Sequence, residues 1–339
     1  MAAGVIGTGA YLPDPVLDNE TLAARLGQSP DWIMERTGIR ERRIAPPGQN
    51  CSDLAVAAAR QALAQAACAP QDINAIIVAT SSGDFRSPAT AVLVQAALDI
   101  PSALCFDLSA ACCGFVYGVT VACGLVDAGL CGKALVIGAE LTSRLVDSAD
   151  LNTAILFGDG AGAVVIGPLP EGYGLLATDA GTTGTEYAVA HIPGGGSRLP
   201  LTPAGLAEGV QFMRMDGVLL FMFAMRALGD AILRVLAKAA LTPAHVDLFV
   251  PHQANRRIIE AAADRLQLPL DKMMLNLEQY GNTSAASIPI ALHDAIGQGR
   301  LRPGHRVVLA GFGAGLSWGA LVMRWHAAGP KPSLQQGDE

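Results

Sequence analysis

The sequence predicts an α/β protein made of two duplicated halves, each a helix-covered sheet of mixed but mostly parallel strands. Two observations lead there. Strand-like apolar runs alternate with helix-period segments through most of the 339 residues, and four segments recur in the same order about half a chain apart. The helix-then-strand unit SDLAVAAARQALAQAACAPQDINAIIVATS is echoed by FAMRALGDAILRVLAKAALTPAHVDLFVPHQ, each with a Pro-x-(Asp/His)-(Ile/Val) turn before its strand. CFDLSAAC is answered by MLNLEQYGNTSAAS, GKALVIGAE by GHRVVLAGFG, and FGDGAGAVVIG by FGAGLSWGALV. Generic α/β patterning yields one or two such echoes; four in register indicate duplication. The halves are expected over residues 1–171 and 218–328. A Gly-, Thr- and Pro-rich inserted section at 172–217 would form a wall or cap, and 329–339 a frayed tail.

Composition narrows the class. With 51% hydrophobic and 16% charged residues the chain can bury a large core. A net charge of −7 argues against a nucleic-acid partner. The seven cysteines are odd in number, lie within the first 131 residues and lack paired spacing, so they read as reduced thiols of a cytoplasmic protein. No Cys/His spacing suggests a metal. MAAGVIGTGAYLP reads as a first strand and glycine turn rather than a signal peptide. LLFMFAMRALGDAIL, interrupted by Arg226 and Asp230, reads as a core helix and not a membrane span.

In chain order, the first chemistry-bearing segment is FDLSAACCGF, Phe106–Phe115, a strand passing through small residues into a helix. Cys112 at that junction would feel the helix's unpaired amides, which favour thiolate. Ala110, Ala111 and Gly114 leave room for a bulky thioester. Alone, Cys112 reads equally as a packed small hydrophobe. Next, LFVPHQANRRII puts His252 directly past a buried strand, placed for proton donation or as an ordinary structural histidine. QYGNTSAASIPIAL puts Asn282 in a Gly-Asn turn, as a turn residue or an amide aimed at an oxyanion. GFGAGLSWG is a glycine-rich turn whose amides near Ala314 suit either a phosphate or an oxyanion. Equivalent strand-end loops of paired halves converge, so Cys112, His252 and Asn282 are expected in one cleft.

Taken together these motifs, with GTGAYLP, DWIMERTGIRERRI and FGDGAGAVV, resemble the thiolase-superfamily condensing enzymes, and among them the β-ketoacyl-acyl-carrier-protein synthase III family, over essentially the whole chain. The resemblance implies a thiolase-like fold layered α-β-α-β-α. It implies decarboxylative condensation of an acyl-CoA primer with malonyl-acyl-carrier protein to a 3-oxoacyl-carrier protein, the first step of fatty-acid synthesis. Cys112 would carry the acyl group, and Cys113 would be a spectator. His252 and Asn282 would bind the malonyl thioester oxygen, and the backbone amides of Cys112 and Ala314 the other oxyanion. Trp32, Arg36 and Asn255 would hold CoA, Trp32 by stacking on adenine and Arg36 by meeting phosphate. Arg256 and Arg257 would dock the carrier protein, and Ser87 would border the acyl tunnel. CoA thioesters are substrates here, and no cofactor or metal is implied.

A homodimer is implied as well, with the Ser87 region crossing into the partner's tunnel. Departures from the family's pattern qualify this. Leu151 replaces an arginine at the adenine site, Met222 and Asp264 stand where lysines are frequent, and Ala314 replaces a glycine. Ser87 replaces a phenylalanine that blocks the tunnel in short-chain members, leaving room for longer or branched primers. These differences motivate an alternative, a priming or acyl-transferring ketosynthase of polyketide or specialised metabolism. A noncatalytic scaffold would have degenerate loops, which these are not. A biosynthetic thiolase needs a second cysteine, and none follows Cys131. A hydroxymethylglutaryl-CoA synthase needs a glutamate base, which no motif supplies.

Overall fold

Almost wholly apolar runs such as AIIVA and ALVIGAEL, the latter broken only by Glu140, form strands buried on both faces, as expected where helices cover a sheet on each side. The computed structural model describes residues 2–326; the expected tail at 329–339 lies outside them. One sheet holds β1 (Ala2–Tyr11), β2 (Ala75–Ala79), β3 (Leu104–Leu108), β4 (Ala134–Leu141) and β5 (Asp159–Leu169) in the order β1-β5-β4-β2-β3. The other holds β6 (Gly174–Thr182), β7 (Leu248–Pro251), β8 (Arg306–Gly313) and β9 (Ser317–Arg324) in the order β7-β8-β9-β6.

The second sheet repeats the first. β6, β9, β8 and β7 match β1, β5, β4 and β2 in both order and direction. The counterpart of β3 shrinks to a single parallel bridge between Phe249 and Met273. Two expectations need correction. The sheets are not mostly parallel: four of their seven pairings are antiparallel. In each half one strand returns directly beside its predecessor, β5 beside β4 and β9 beside β8, and a strand covered on both faces is equally apolar in either direction. Nor is all of 172–217 an insertion, because β6 is the edge strand of the second sheet, paired with β9. Its glycine and threonine content hid a strand with six of its nine positions buried or half-buried.

Helices fill the layers between and outside the sheets. α1 (Pro30–Thr37), α2 (Cys51–Gln65), α3 (Gly114–Asp127), α4 (Gly217–Lys238), α5 (Arg256–Arg265) and α6 (Ser287–Gly297) are the ones that matter for the site. α3 and α6 form the central layer: Phe115, Val119, Ile288 and Leu292 pack with Ile77 and Val136 of one sheet and Val250 and Leu309 of the other. α2 covers the outer face of the first sheet, with Leu54 and Ala58 against Ile76 and Leu135. α4 and α5 cover the second, with Leu228, Ile232 and Ile259 against Phe249 and Val308. Burying each such large side chain contributes about 1.5–3 kcal/mol. Local chemistry starts these helices: a capping box between Asn50 and Asp53 opens α2, and Asp216 accepts from the Val218 and Leu219 amides to open α4. LLFMFAMRALGDAIL lies within α4, and among the described residues no helix is long and apolar enough to cross a membrane.

Each central helix begins in the same way. A three-residue turn, Ala111–Cys113 before α3 and Ser284–Ala286 before α6, opens on a residue with left-handed φ, Ala111 at 47° and Ser284 at 50°. The two turns touch at the seam between the halves.

Candidate active site

That seam opens into a cavity of about 270 Å³ lined by Cys112, His252, Asn282 and Ala314, the residues singled out in the sequence. Cys112 sits mid-turn, and β8 must end in glycine to admit it: a Cβ on Gly313 would lie 2.9 Å from the Cys112 amide nitrogen. Gly311 separates Cys112 from His252, since a Cβ there would meet Cys112 O at 3.5 Å and His252 Cβ at 3.7 Å. The Cys112 sulfur lies 3.4 Å from Ser284 Oγ. Burial pushes its pKa up to about 12, which corrects the expectation of a stabilised thiolate. A helix end contributes only about 0.3–2 kcal/mol, and desolvation of the sulfur exceeds it. Cys112 therefore rests as a thiol.

His252 continues β7, its amide donating to Ala310 O at 2.8 Å. The ring is buried against the edge of Phe312, with centroids 5.3 Å apart. Burial lowers its pKa to about 3, so the imidazole is neutral. Nδ1 lies 2.6 Å from Ser287 Oγ, which also accepts from the Gln253 amide at 3.4 Å. A Ser287 hydroxyl that donates to Nδ1 leaves the ring hydrogen on Nε2, the nitrogen free to act in the cavity. Asn282 is fixed by its backbone, which pairs with Leu156 O and the Gly158 amide, and by its Oδ1, which accepts from the Ser284 amide at 2.8 Å. With the oxygen engaged, Nδ2 is the group it offers as a donor. The site therefore presents a thiol, a neutral imidazole N–H and a carboxamide N–H on one cavity.

The cavity mouth carries Trp32, Arg36, Leu151 and Asn255. Arg36 does not stand apart to meet phosphate: its guanidinium lies 4.4 Å over the Trp32 ring, so one face of that indole is already covered. Leu151 packs with Trp32 against Ile33 and Ile155. Asn255 caps α5 through the Arg257 amide and ties it to α1 by donating to Arg36 O at 2.9 Å. Ala314 is held by Ser317 Oγ, which donates to its carbonyl at 3.1 Å. Leu145, Leu156, Phe157, Met213, Met215, Leu220 and Phe221 make the walls apolar, and Met213 and Met215 come from the inserted section.

Three predicted residues are not brought to the cavity. Ser87 is exposed on a loop outside it. Arg256 is paired with Glu260 at 2.7 Å, and Arg257 donates to Glu35 O at 2.9 Å; both are exposed beyond its rim. Glu140 and Ser284, which line the cavity, were missed, as was Ser287 behind His252. Glu140, near the end of β4, is fully buried and lines the wall. It accepts from the Ser81 amide at 3.1 Å, Ser82 Oγ at 2.6 Å and Ser284 Oγ at 3.1 Å, and burial raises its pKa to about 7. This corrects the reading that found no glutamate for the site. The signal was present: a lone acid closing the apolar run ALVIGAE must find hydrogen-bond donors inside the protein. Ser284 and Ser287 carry no comparable signal within the run of small residues TSAAS.

Residues 106–184 match the family described as 3-oxoacyl-[acyl-carrier-protein] synthase III, and residues 236–325 match its C-terminal counterpart. The chain is 49% identical over 322 residues to a β-ketoacyl-[acyl-carrier-protein] synthase III of Symbiobacterium thermophilum, covering 95% of this chain and 98% of that protein. Among solved structures, 3-oxoacyl-(acyl carrier protein) synthase III of Pseudomonas aeruginosa superposes with a TM-score of 0.90 at 44% identity, covering 97% of this chain and 100% of that one. The priming β-ketosynthase of the R1128 polyketide pathway superposes with a TM-score of 0.89 at 33% identity, covering 97% of each chain. Near-complete coverage at this identity, on a shared fold, places the chain in the 3-oxoacyl-acyl-carrier-protein synthase III family.

Proposed function

We propose that this protein condenses an acyl-CoA primer with malonyl-acyl-carrier protein, releasing CoA and carbon dioxide and giving a 3-oxoacyl-carrier protein that starts a fatty acid. The observation that carries this is the meeting of Cys112 with two neutral donors, His252 and Asn282, in one apolar cavity. Cys112 takes the acyl group from CoA, with the Cys112 and Ala314 amides facing the thioester oxygen. The malonyl thioester oxygen then lies between His252 Nε2–H and Asn282 Nδ2–H. Loss of carbon dioxide leaves an enolate on that oxygen, and its carbon attacks the Cys112 thioester to expel the cysteine sulfur. An imidazole held neutral suits this step, because it donates a hydrogen bond without needing to lose a proton. Each such preorganised donor contributes about 3–4 kcal/mol.

Trp32, Arg36 and Asn255 stand at the mouth where a CoA nucleotide would rest, with Leu151 adding apolar contact in place of charge. Arg256 and Arg257 form the exposed basic corner for an acidic carrier protein, while Met222 and Asp264 subtract positive charge from it. Homodimerisation is supported by β3, an edge strand with a free side, whose Leu104 is 56% exposed. Ser87, outside its own chain's cavity, would reach a partner's across such an edge. Seven unpaired cysteines suit the reducing cytoplasm. The polyketide-priming alternative is not adopted, since relatives at 45–49% identity carry the fatty-acid synthase III name and the polyketide enzyme stands at 33%. The test is mass spectrometry after incubation with acyl-CoA, then with malonyl-carrier protein. An acyl increment on Cys112 followed by a 3-oxoacyl product is expected; no increment would overturn the reading.

A further inference from the structure

We infer that Glu140 is the base for the Cys112 thiol, acting through the Ser284 hydroxyl, which bridges the two. This rests on the proposed role of Cys112 as the acyl acceptor. Ser284 Oγ lies 3.4 Å from Cys112 Sγ and 3.1 Å from Glu140 Oε1, so a continuous hydrogen-bond chain runs from sulfur to carboxylate. The remaining carboxylate contacts, from Ser81 N and Ser82 Oγ, hold it in place without neutralising it.

Elimination points the same way. Four of the side chains lining the cavity titrate: Arg36, Cys112, Glu140 and His252. Arg36 lies with its guanidinium over the Trp32 ring and offers no acceptor. His252 already carries its hydrogen on Nε2, and Nδ1 is taken by Ser287. That leaves Glu140. Its pKa, raised to about 7 by burial, is near where a base works best at neutral pH, whereas His252 at about 3 is too weak a base. The titratable groups that feel its charge are the Cys112 and Cys51 thiols, both pushed up by burial. No cation is among the causes of its own shift.

The step balances. As the sulfur–carbon bond to the acyl group forms, the thiol S–H breaks and its proton passes to Ser284 Oγ. The original Ser284 proton passes to Glu140. When the tetrahedral adduct collapses, the bond to CoA sulfur breaks and the departing thiolate takes up the proton that Glu140 releases. The acyl-enzyme, CoA thiol and an ionised Glu140 remain. Glu140 is thus regenerated within this half-reaction and decarboxylation does not call on it; the Cys112 thiolate expelled by the later condensation takes its proton from water.

The relay is read from Cys112 alkylation by iodoacetamide across pH 5–9, followed by peptide mass, in wild type, Glu140→Gln and Ser284→Ala. Alanine is already tolerated at the twin left-handed position, Ala111, so Ser284→Ala keeps the test open if Glu140→Gln fails to fold. Wild type is expected to show a rate step centred near pH 7, and each variant to lose that step and react at least tenfold more slowly at pH 8. A step that survives in a folded variant, even at a uniformly lower rate, would overturn the relay, because that is what a purely structural contact predicts. Acylation by acyl-CoA, run in parallel on wild type, separates the two claims: a pH step without acylation would leave the relay standing and remove the proposed function.

Discussion

Ser287 Oγ stands 2.6 Å from His252 Nδ1 while accepting from the Gln253 amide, so one hydroxyl fixes which imidazole nitrogen faces the cavity. Ser287→Ala would free Nδ1 and let both tautomers populate, only one of which can donate from Nε2. Condensation by pre-acylated enzyme should fall about tenfold, a loss of about 1.4 kcal/mol in the barrier. Formation of the acyl-enzyme should be unchanged. Single-turnover measurement of the two half-reactions checks this, and equal slowing of both would contradict it.

Asn282→Asp keeps the oxygen that accepts from the Ser284 amide but exchanges the Nδ2 donor for an acceptor. Product formation should drop by roughly 10²–10³, the usual effect of removing one oxyanion donor. The acyl increment on Cys112 should still appear in the mass spectrum. Disappearance of that increment would assign Asn282 to the wrong half-reaction.

Gly313→Ala drives a methyl to within 2.9 Å of the Cys112 amide, where backbone rather than a flexible side chain must yield. The turn carrying the sulfur shifts, and acylation should slow by about 10²-fold, as small misplacements of reacting groups do. Overpacking should also cost about 1–3 kcal/mol of stability. Stopped-flow release of CoA thiol and a urea titration read the two effects separately.

Glu140 makes stability depend on pH in a definite sense. Its folded pKa, about 7, exceeds the ordinary value of 4.5, so its contribution is fully present below pH 4.5 and is lost as pH rises through 7. The loss is about 3 kcal/mol for a shift of this size. His252 acts oppositely: its folded pKa near 3 lies below the usual 6.5, so its contribution is complete above pH 6.5 and is lost as pH falls towards 3. Comparing wild type with Glu140→Gln cancels the histidine. The stability difference should move by about 3 kcal/mol in the variant's favour between pH 4.5 and 7. A flat difference in urea titrations across that range would show the carboxyl to be ionised throughout.

Much of this arrangement was legible in the residues. Four echoed segments located the two sheets, because a duplicated half repeats its strand order as well as its apolar pattern. Cys112, His252 and Asn282 were legible because the echoed segments place each in a loop that the duplication brings to the seam. Direction within the sheets was not legible, since a strand covered on both faces is apolar whether its neighbour runs parallel or antiparallel. β6 was hidden by its own composition, GLLATDAGT, which resembles a loop more than a half-buried edge. The Cys112 ionisation was misread because a sequence displays the helix start but not the protein that desolvates the sulfur. Glu140 and Ser284 escaped notice for a related reason: the bond between them spans 144 residues, and only the folded chain makes it.

The paired turns at Ala111 and Ser284 carry one further implication. In one copy the turn bears the sulfur; in the other it bears the hydroxyl that touches that sulfur and the amide that steadies Asn282. Sulfur and imidazole thus belong to different halves, and their spacing is only as firm as the contact between the two. Loosening that contact by mild denaturant or a distant core substitution would silence the enzyme while each half still kept its helices, so activity should be lost before circular dichroism records any unfolding.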